Sequence, residues 1–164
     1  MMNGQTMTLE EQIDQLESCV EAFAGSVDSL DERLFLRKVT SWTVRDIVAH
    51  LIGWNRCIVR GARQILRGEL PFYDVDPGSD YSNVNAALVR ECVDTDRSML
   101  LESLVASTRE LTAFLRAVDT HTWDRDFGVR HKGETLTVKS TVNDLIADYH
   151  HHRAQLEEFR EGAA

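Results

Sequence analysis

Apolar residues recur at intervals of three and four over four stretches of the chain, which is the spacing that places them on one face of an α-helix. The pattern predicts amphipathic helices over about residues 8–24, 43–68, 83–118 and 140–160. Polar residues fill the positions between the apolar stripes, as expected of helices that bury one face and expose the other. The pattern therefore predicts an all-α protein.

Two of these helices begin with a capping box, a threonine followed three residues later by an acidic residue. The first box is Thr8 with Glu11, and the second is Thr43 with Asp46. The side chains of such a box satisfy backbone amides that have no partner in the first turn of the helix. The run Asp94–Asp96 interrupts the third stretch and predicts a kink or a restart there.

Two irregular segments separate the helices. Residues 69–82 hold both prolines of the chain and a turn at Asp76–Gly78, so they predict a loop long enough to cover a pocket. Residues 121–138 alternate and turn at Lys132–Gly133, which predicts a small irregular hairpin. Four amphipathic helices with one long connection in the middle predict a four-helix bundle, formed by a single domain over residues 1–164.

Charge and cysteine content narrow the classes of function. The 18 Lys and Arg residues are scattered among 27 Asp and Glu residues, and the net charge is −9, so we expect no nucleic-acid partner. Cys19, Cys57 and Cys92 are far apart and lack CxxC spacing, which fits a reducing cytoplasm better than a disulfide framework or a zinc ribbon. No segment approaches 18 consecutive apolar residues, and no secretion signal is apparent, so we expect neither membrane insertion nor secretion.

The residues best suited to bind a metal ion lie in the last helix, where three histidines follow one another. The apolar stripe places His152 on the inward face and His150 on roughly the opposite side. Asp148 lies one helical turn before His152, so the two side chains can hold one ion between them. An imidazole nitrogen and a carboxylate oxygen are acceptable to zinc, nickel, iron and manganese alike.

A metal site needs a third ligand from a facing helix, and His50 is the candidate. It lies on the flank of the apolar stripe of the second helix, one turn before Trp54. A single histidine at such a position is more often structural, but three ligand types on the inward flanks of two helices favour a site. His151 is a rival that lacks a partner four residues before it, since Ala147 stands there. His121 and His131 lie in the irregular segment and are expected at the surface, with the mouth of a pocket as the alternative.

Two motifs resemble those of the DinB superfamily, also described as DinB/YfiT-like. The stretch SWTVRDIVAHLIGWN resembles the second-helix motif of that family, and DYHHHRAQLEEF resembles its last-helix motif. The resemblance implies an up-down-down-up four-helix bundle, often dimeric, with a long crossover between the second and third helices. It also implies a divalent metal held by three histidines, carried here by His50, Asp148 and His152. The chain departs from the usual pattern at Asp148, where the family commonly has histidine.

The same resemblance implies a class of function. Family members include thiol-dependent transferases and isomerases, such as mycothiol-dependent maleylpyruvate isomerase, and the ClbS/DfsB-like proteins. We therefore expect a homodimeric metal-dependent transferase or hydrolase that acts on a small molecule, possessing a divalent metal and, in the thiol-dependent branch, a low-molecular-weight thiol. Trp54, Tyr73 and Tyr81 would line an apolar pocket, and Arg153 would orient a carboxylate of the substrate. The alternatives are a metal-free module that binds or sequesters a small molecule, and a structural dimer with a vestigial site.

Overall fold

The computed structural model describes residues 6–93 and 96–163, and long helices dominate it. In chain order the elements are α1 (Leu9–Asp28), α2 (Glu32–Phe35), α3 (Val44–Leu66), α4 (Ser82–Glu91), α5 (Arg97–Ala117), α6 (Thr120–Trp123), the strands β1 (Arg130–His131) and β2 (Glu134–Thr135), and α7 (Val138–Gly162). The prediction of an all-α four-helix bundle is confirmed, and α1, α3, α5 and α7 are its four long helices.

Both predicted capping boxes start their helices. The side chain of Thr8 accepts from the Glu11 amide while that of Glu11 accepts from the Thr8 amide, and Thr43 and Asp46 do the same for α3. The first helix is longer than the predicted residues 8–24. It reaches Asp28 because Val27, which is fully buried, continues the apolar stripe by another turn.

Pairs of interacting residues give the relative directions of the four long helices. Near the start of each helix Gln12 of α1 donates to Asn143 of α7, so these two helices are parallel. Asn55 of α3 contacts Tyr149 of α7, whereas His50, which comes earlier in α3, contacts His152, which comes later in α7. These two helices are therefore antiparallel. The ring of Phe114, late in α5, lies under Arg63, late in α3, so α3 and α5 run in the same direction.

Because α3 and α5 are parallel, the chain must return along the bundle between the end of α3 and the start of α5. This connection contains the predicted loop, which forms two short 3₁₀ turns at Phe72–Asp74 and Ser79–Tyr81, followed by α4. The connection packs on α3. Residues 94 and 95 of the predicted break lie outside the described residues, and α4 ends at Glu91 before them while α5 begins at Arg97 after them.

The predicted hairpin is present but short. Strands β1 and β2 pair antiparallel, with Arg130 opposite Thr135, and Lys132 and Gly133 both have positive φ at the turn. Two consecutive residues of positive φ define the turn type that suits a two-residue hairpin loop. The hairpin leads directly into α7 and places His131 beside the connection, 3.7 Å from the carboxylate of Asp74.

A hydrogen-bonded cluster lies among the apolar side chains of the bundle. Tyr149 of α7 is fully buried and donates from its hydroxyl to the Asn55 side chain, 2.8 Å away. Asn55 in turn donates to Ser107 and Thr108 of α5. This cluster ties three of the four long helices together directly beneath the polar end described below. Among the described residues, no helix is both long and apolar enough to cross a membrane.

Candidate metal centre

Two helices bring three potential ligands to one point. His50 lies in the second turn of α3, where the stripe of buried residues around it carries its imidazole into the bundle. Asp148 and His152 lie four residues apart on α7, so their side chains stand one above the other on the face that meets α3. His50 and His152 are both more than nine-tenths buried, and Asp148 is half-buried between them.

The distances suit a single small ion. The Nε2 atom of His50 lies 3.0 Å from Oδ2 of Asp148, and Nε2 of His152 lies 3.3 Å from Oδ1 of the same carboxylate. One ligand atom from each residue lies within 4.8 Å of the other two. Ligand atoms held about 2.1 Å from a tetrahedral or octahedral ion are about 3.0–3.4 Å apart. Small side-chain adjustments would therefore bring the three residues into coordination geometry.

Neighbouring side chains fix the two imidazoles. The Nδ1 atom of His152 lies 3.0 Å from the side-chain oxygen of Gln155, which can only accept, so Nδ1 carries a proton and Nε2 is the nitrogen that faces Asp148 or an ion. The ring of Trp42 packs against His50 with 5.0 Å between centroids. The Nδ1 atom of His50 is buried and has no hydrogen-bond partner among the described residues. The donor set of two imidazoles and one carboxylate thus fits a divalent ion with open positions.

The carboxylate between the histidines is held in its ionised form. Burial alone would raise the pKa of Asp148, but hydrogen bonds with His152 and His50 and the charges of both imidazoles lower it below its ordinary value. Burial would lower the pKa of His152, and its hydrogen bond with Asp148 outweighs burial and raises it. An ionised carboxylate and two imidazoles at one point form a site that a cation can enter by displacing a proton.

A cavity of about 450 Å³ opens beside the cluster. His50 and Asp148 form one part of its wall, and the three aromatic residues expected from the sequence, Trp54, Tyr73 and Tyr81, all line it. Arg153 does not line the cavity. It follows His152 by one position, about 100° around the helix, and is exposed to solvent.

Several lining residues were not identified from the sequence. Asp74 lies in a part of the connection between α3 and α5 that has no periodic pattern, and Asn85 lies in α4, where the helical period predicted from residue 83 did not show that this side chain would line a cavity. Asp144 also lines the cavity, and the sequence could have indicated this, because Asp144 lies one helical turn before Asp148 on α7. His151, which the sequence made a rival ligand, lines the cavity and contacts the ring of His152, but it is not part of the three-residue cluster.

A four-helix bundle with a cluster of His, Asp and His at one end defines a class of candidate metal-binding bundle proteins. Residues 8–156 match the DinB superfamily, and the chain belongs to that superfamily. No curated protein matches the sequence significantly.

Solved structures share the fold at low sequence identity. The colibactin self-resistance protein ClbS, in complex with a dsDNA, is 16% identical with a TM-score of 0.76, and the match covers 96% of this chain and 98% of that chain. YfiT from Bacillus subtilis, a probable metal-dependent hydrolase, is 20% identical with a TM-score of 0.69, and the match covers 99% and 94%. The mycothiol-dependent maleylpyruvate isomerase is 18% identical with a TM-score of 0.70, and the match covers 92% of this chain but only 61% of the isomerase. At these identities the likeness shows the fold alone.

The structure of ClbS corrects one expectation. Net charge was taken to exclude a nucleic-acid partner, but a protein of this fold has been crystallised in complex with dsDNA, so that prediction was wrong. Net charge is a sum over the whole surface and does not describe any one face. In this chain, four exposed arginines follow one face of α3 and its C-terminal end despite the overall charge of −9, namely Arg56, Arg60, Arg63 and Arg67.

Proposed function

We propose that this protein is a divalent-metal-dependent enzyme that acts on a small molecule, with His50, Asp148 and His152 as the metal ligands. The observation that carries the proposal is the convergence of these three donors at the wall of a cavity large enough for a small substrate. The metal-dependent and mycothiol-dependent descriptions of YfiT and the isomerase, which share the fold, support the same class of chemistry.

When bound, a divalent ion would lower the pKa of a coordinated water or thiol and so provide a nucleophile near neutral pH. The chain's own residues hold the ligands and shape the cavity. Gln155 fixes the proton of His152 on Nδ1, and Trp42 restrains the ring of His50. The aromatic residues of the connection limit the access of water to the same space.

The nucleophile in this proposal is water or an external low-molecular-weight thiol rather than a cysteine of the chain. Burial raises the pKa of Cys57 to about 11, with the charge of Glu91 adding to the effect, and burial raises the pKa of Cys19 to about 12. A thiol with so high a pKa is unreactive near neutral pH. Neither residue lines the cavity beside the metal cluster.

The first test is the metal content of tag-free protein purified without nickel, measured by mass spectrometry for the wild type, His50→Ala, His152→Ala and His121→Ala. We expect about one ion per chain in the wild type, as three convergent ligands hold a single ion. The first two variants should lose it, and His121→Ala should retain it because His121 is exposed and distant from the cluster. Retention of full metal content in His50→Ala and His152→Ala would refute the assignment.

Turnover then distinguishes an enzyme from the alternative, a metal-free module that sequesters a reactive small molecule. The loaded protein should consume electrophilic or hydrolysable substrates catalytically, with or without an added thiol. If the purified protein holds no metal and protects against a reactive compound only in a one-to-one ratio, the protein is a sequestering module and not an enzyme.

A further inference from the structure

The cavity beside the metal cluster has an unusual combination of walls. Trp54, Tyr73 and Tyr81 form an aromatic group whose ring centroids lie 5.1 to 6.4 Å apart, all edge to face. Trp54 is held in place because its indole nitrogen donates to the side chain of Asn85 at 2.7 Å. These rings offer a flat or compact apolar group a preformed surface.

The cavity wall also carries several carboxylates, besides the polar side chains of His50, His151, Asn85 and Thr141. Four carboxylates line it, and no Lys or Arg does so among the described residues: Asp74, Asp80, Asp144 and Asp148. Only Asp148 belongs to the three-residue metal cluster, and the other three carboxylates form no second cluster with metal-ligand spacing in the described part of the chain. A divalent ion carries two positive charges, fewer than the four carboxylates of the wall would supply as negative charges, so the wall would remain acidic overall with the ion bound.

Asp74 is the most buried of these carboxylates. Its side chain is only 3% exposed, and Tyr81 donates to its Oδ1 atom at 2.6 Å. The hydroxyl of Tyr73, the neighbouring residue, is buried and has no hydrogen-bond partner among the described residues. Nε2 of His131 lies 3.7 Å from Oδ1 of Asp74 and has no hydrogen-bond partner of its own among the described residues. Burying an unpaired hydroxyl is unfavourable unless something else satisfies it, which a bound ligand can do.

The acidic character extends to the α7 side of the cavity. Burial raises the pKa of Asp144, and the negative charges of Glu134 and Asp74 raise it further. Burial also raises the pKa of Tyr73, to which the charges of Asp74 and Asp144 contribute. The contributions of these neighbouring charges, as distinct from burial, correspond to a negative potential beside the aromatic rings, which attracts a positively charged group and repels an anion.

We propose that the cavity selects a cationic substrate, a compact apolar or aromatic group carrying an amidinium or ammonium nitrogen. The apolar part would lie against the aromatic residues, and the nitrogen would lie toward Asp74 and Asp144. Such a cation gains from the carboxylates and from the faces of the rings at once. This inference rests on the proposed function, because it names the substrate class of that same site.

The test uses benzamidine as the probe, with benzamide and benzoate as neutral and anionic analogues of nearly the same shape. Binding is measured by calorimetry on metal-free protein, so that benzoate cannot bind through a metal, and then repeated with benzamidine on zinc-loaded protein. The variants are Asp74→Asn and Asp144→Asn, with Asp28→Asn as a matched control on an exposed site of α1 that does not line the cavity. Asparagine preserves an acceptor for Tyr81 at position 74 and so protects the fold.

We expect benzamidine to bind and its two analogues to bind at least about tenfold more weakly, since each loses the charge-assisted interaction. Asp74→Asn and Asp144→Asn should each weaken benzamidine binding measurably, by up to about tenfold, and Asp28→Asn should leave it unchanged. No binding of benzamidine, equal binding of benzamide, or no effect of either lining variant would overturn the proposal. Metal content is measured in parallel. If the wild type binds benzamidine selectively but holds no metal, only the metal enzyme is refuted. If the wild type holds its metal but does not select benzamidine, only the cationic substrate is refuted.

Discussion

Single side chains decide how well the candidate metal centre is organised. His152 can present Nε2 to an ion only if its ring is held in one orientation and one tautomer, and Gln155 supplies both constraints through one 3.0 Å contact. The i to i+3 spacing of His152 and Gln155 was visible in the sequence, although its role became clear only from the contact. Partners of this kind are as much a part of a metal site as the ligands.

Replacing Gln155 by alanine should therefore weaken metal binding while preserving the fold. We expect metal affinity to fall about 10-fold to 100-fold, because the ring of His152 gains freedom and its Nε2 atom loses basicity. Competition with a chromophoric chelator measures the affinity, and Gln15→Ala, at an exposed position of α1, is the control. Equal affinities in the wild type and Gln155→Ala would show that His152 is oriented by packing alone.

The hydroxyl groups of two buried tyrosines should contribute differently to the free energy of unfolding. Tyr149 donates to Asn55, whereas the hydroxyl of Tyr73 has no partner among the described residues. Tyr149→Phe should lower the free energy of unfolding by about 1–2 kcal/mol because it leaves the buried Asn55 with an unpaired acceptor. Tyr73→Phe should be neutral or stabilising. Urea unfolding of both variants tests the contrast, and an equal loss in both would contradict it.

At the scale of the elements, the sequence predicted the long helices and, in the connection, the aromatic residues Tyr73 and Tyr81, but it did not identify Asp74 or Asn85. Capping boxes and apolar stripes are local signals, and they located the starts of α1 and α3 correctly. The pairing of His50 with Asp148 and His152 required facing helices, and the family resemblance supplied what spacing alone left open. Asp74 belongs to a segment without periodicity, and the helical period around Asn85 did not show that its side chain would meet Trp54 of α3.

The contact between α3 and the connection depends on a glycine. A Cβ atom added to Gly61 would lie 2.5 Å from the Cε1 atom of Tyr73 and 2.7 Å from its hydroxyl oxygen, which is too close for either to remain in place. The glycine therefore allows the aromatic residues of the connection to approach α3. Gly25, on an exposed part of α1, has nothing within 4 Å of the corresponding position.

Alanine at these two glycines should have effects of opposite sign. Gly25→Ala should stabilise the protein by about 0.5–1 kcal/mol, since alanine is the better helix former. Gly61→Ala should destabilise it by about 1–3 kcal/mol because the displacement of Tyr73 outweighs the same gain. Thermal and urea unfolding measure both changes. If Gly61→Ala were as stabilising as Gly25→Ala, the close packing of Tyr73 on α3 would be wrong.

For the whole molecule, net charge and local charge lead to different conclusions. The overall charge of −9 suggested that nucleic acid could be excluded, yet the acidic cavity and the exposed arginines of α3 occupy different parts of the same surface. Summed charge governs solubility and long-range attraction, whereas each partner meets only the face it contacts. Composition alone therefore limits the partners of this fold less than the arrangement of its helices does.

Binding of a divalent ion should stabilise the whole bundle, because the three proposed ligands lie on both α3 and α7 and are brought together only in the folded chain. At a free zinc concentration about 100 times the dissociation constant, the gain is about 2.7 kcal/mol. For a chain of this length, that gain raises the melting temperature by about 5–10 °C. Scanning calorimetry with and without a strong chelator should show this shift in the wild type and none in His152→Ala. A shift of equal size in His152→Ala would place the stabilising ion elsewhere, and no shift in the wild type would mean that the three residues do not hold an ion in the folded protein.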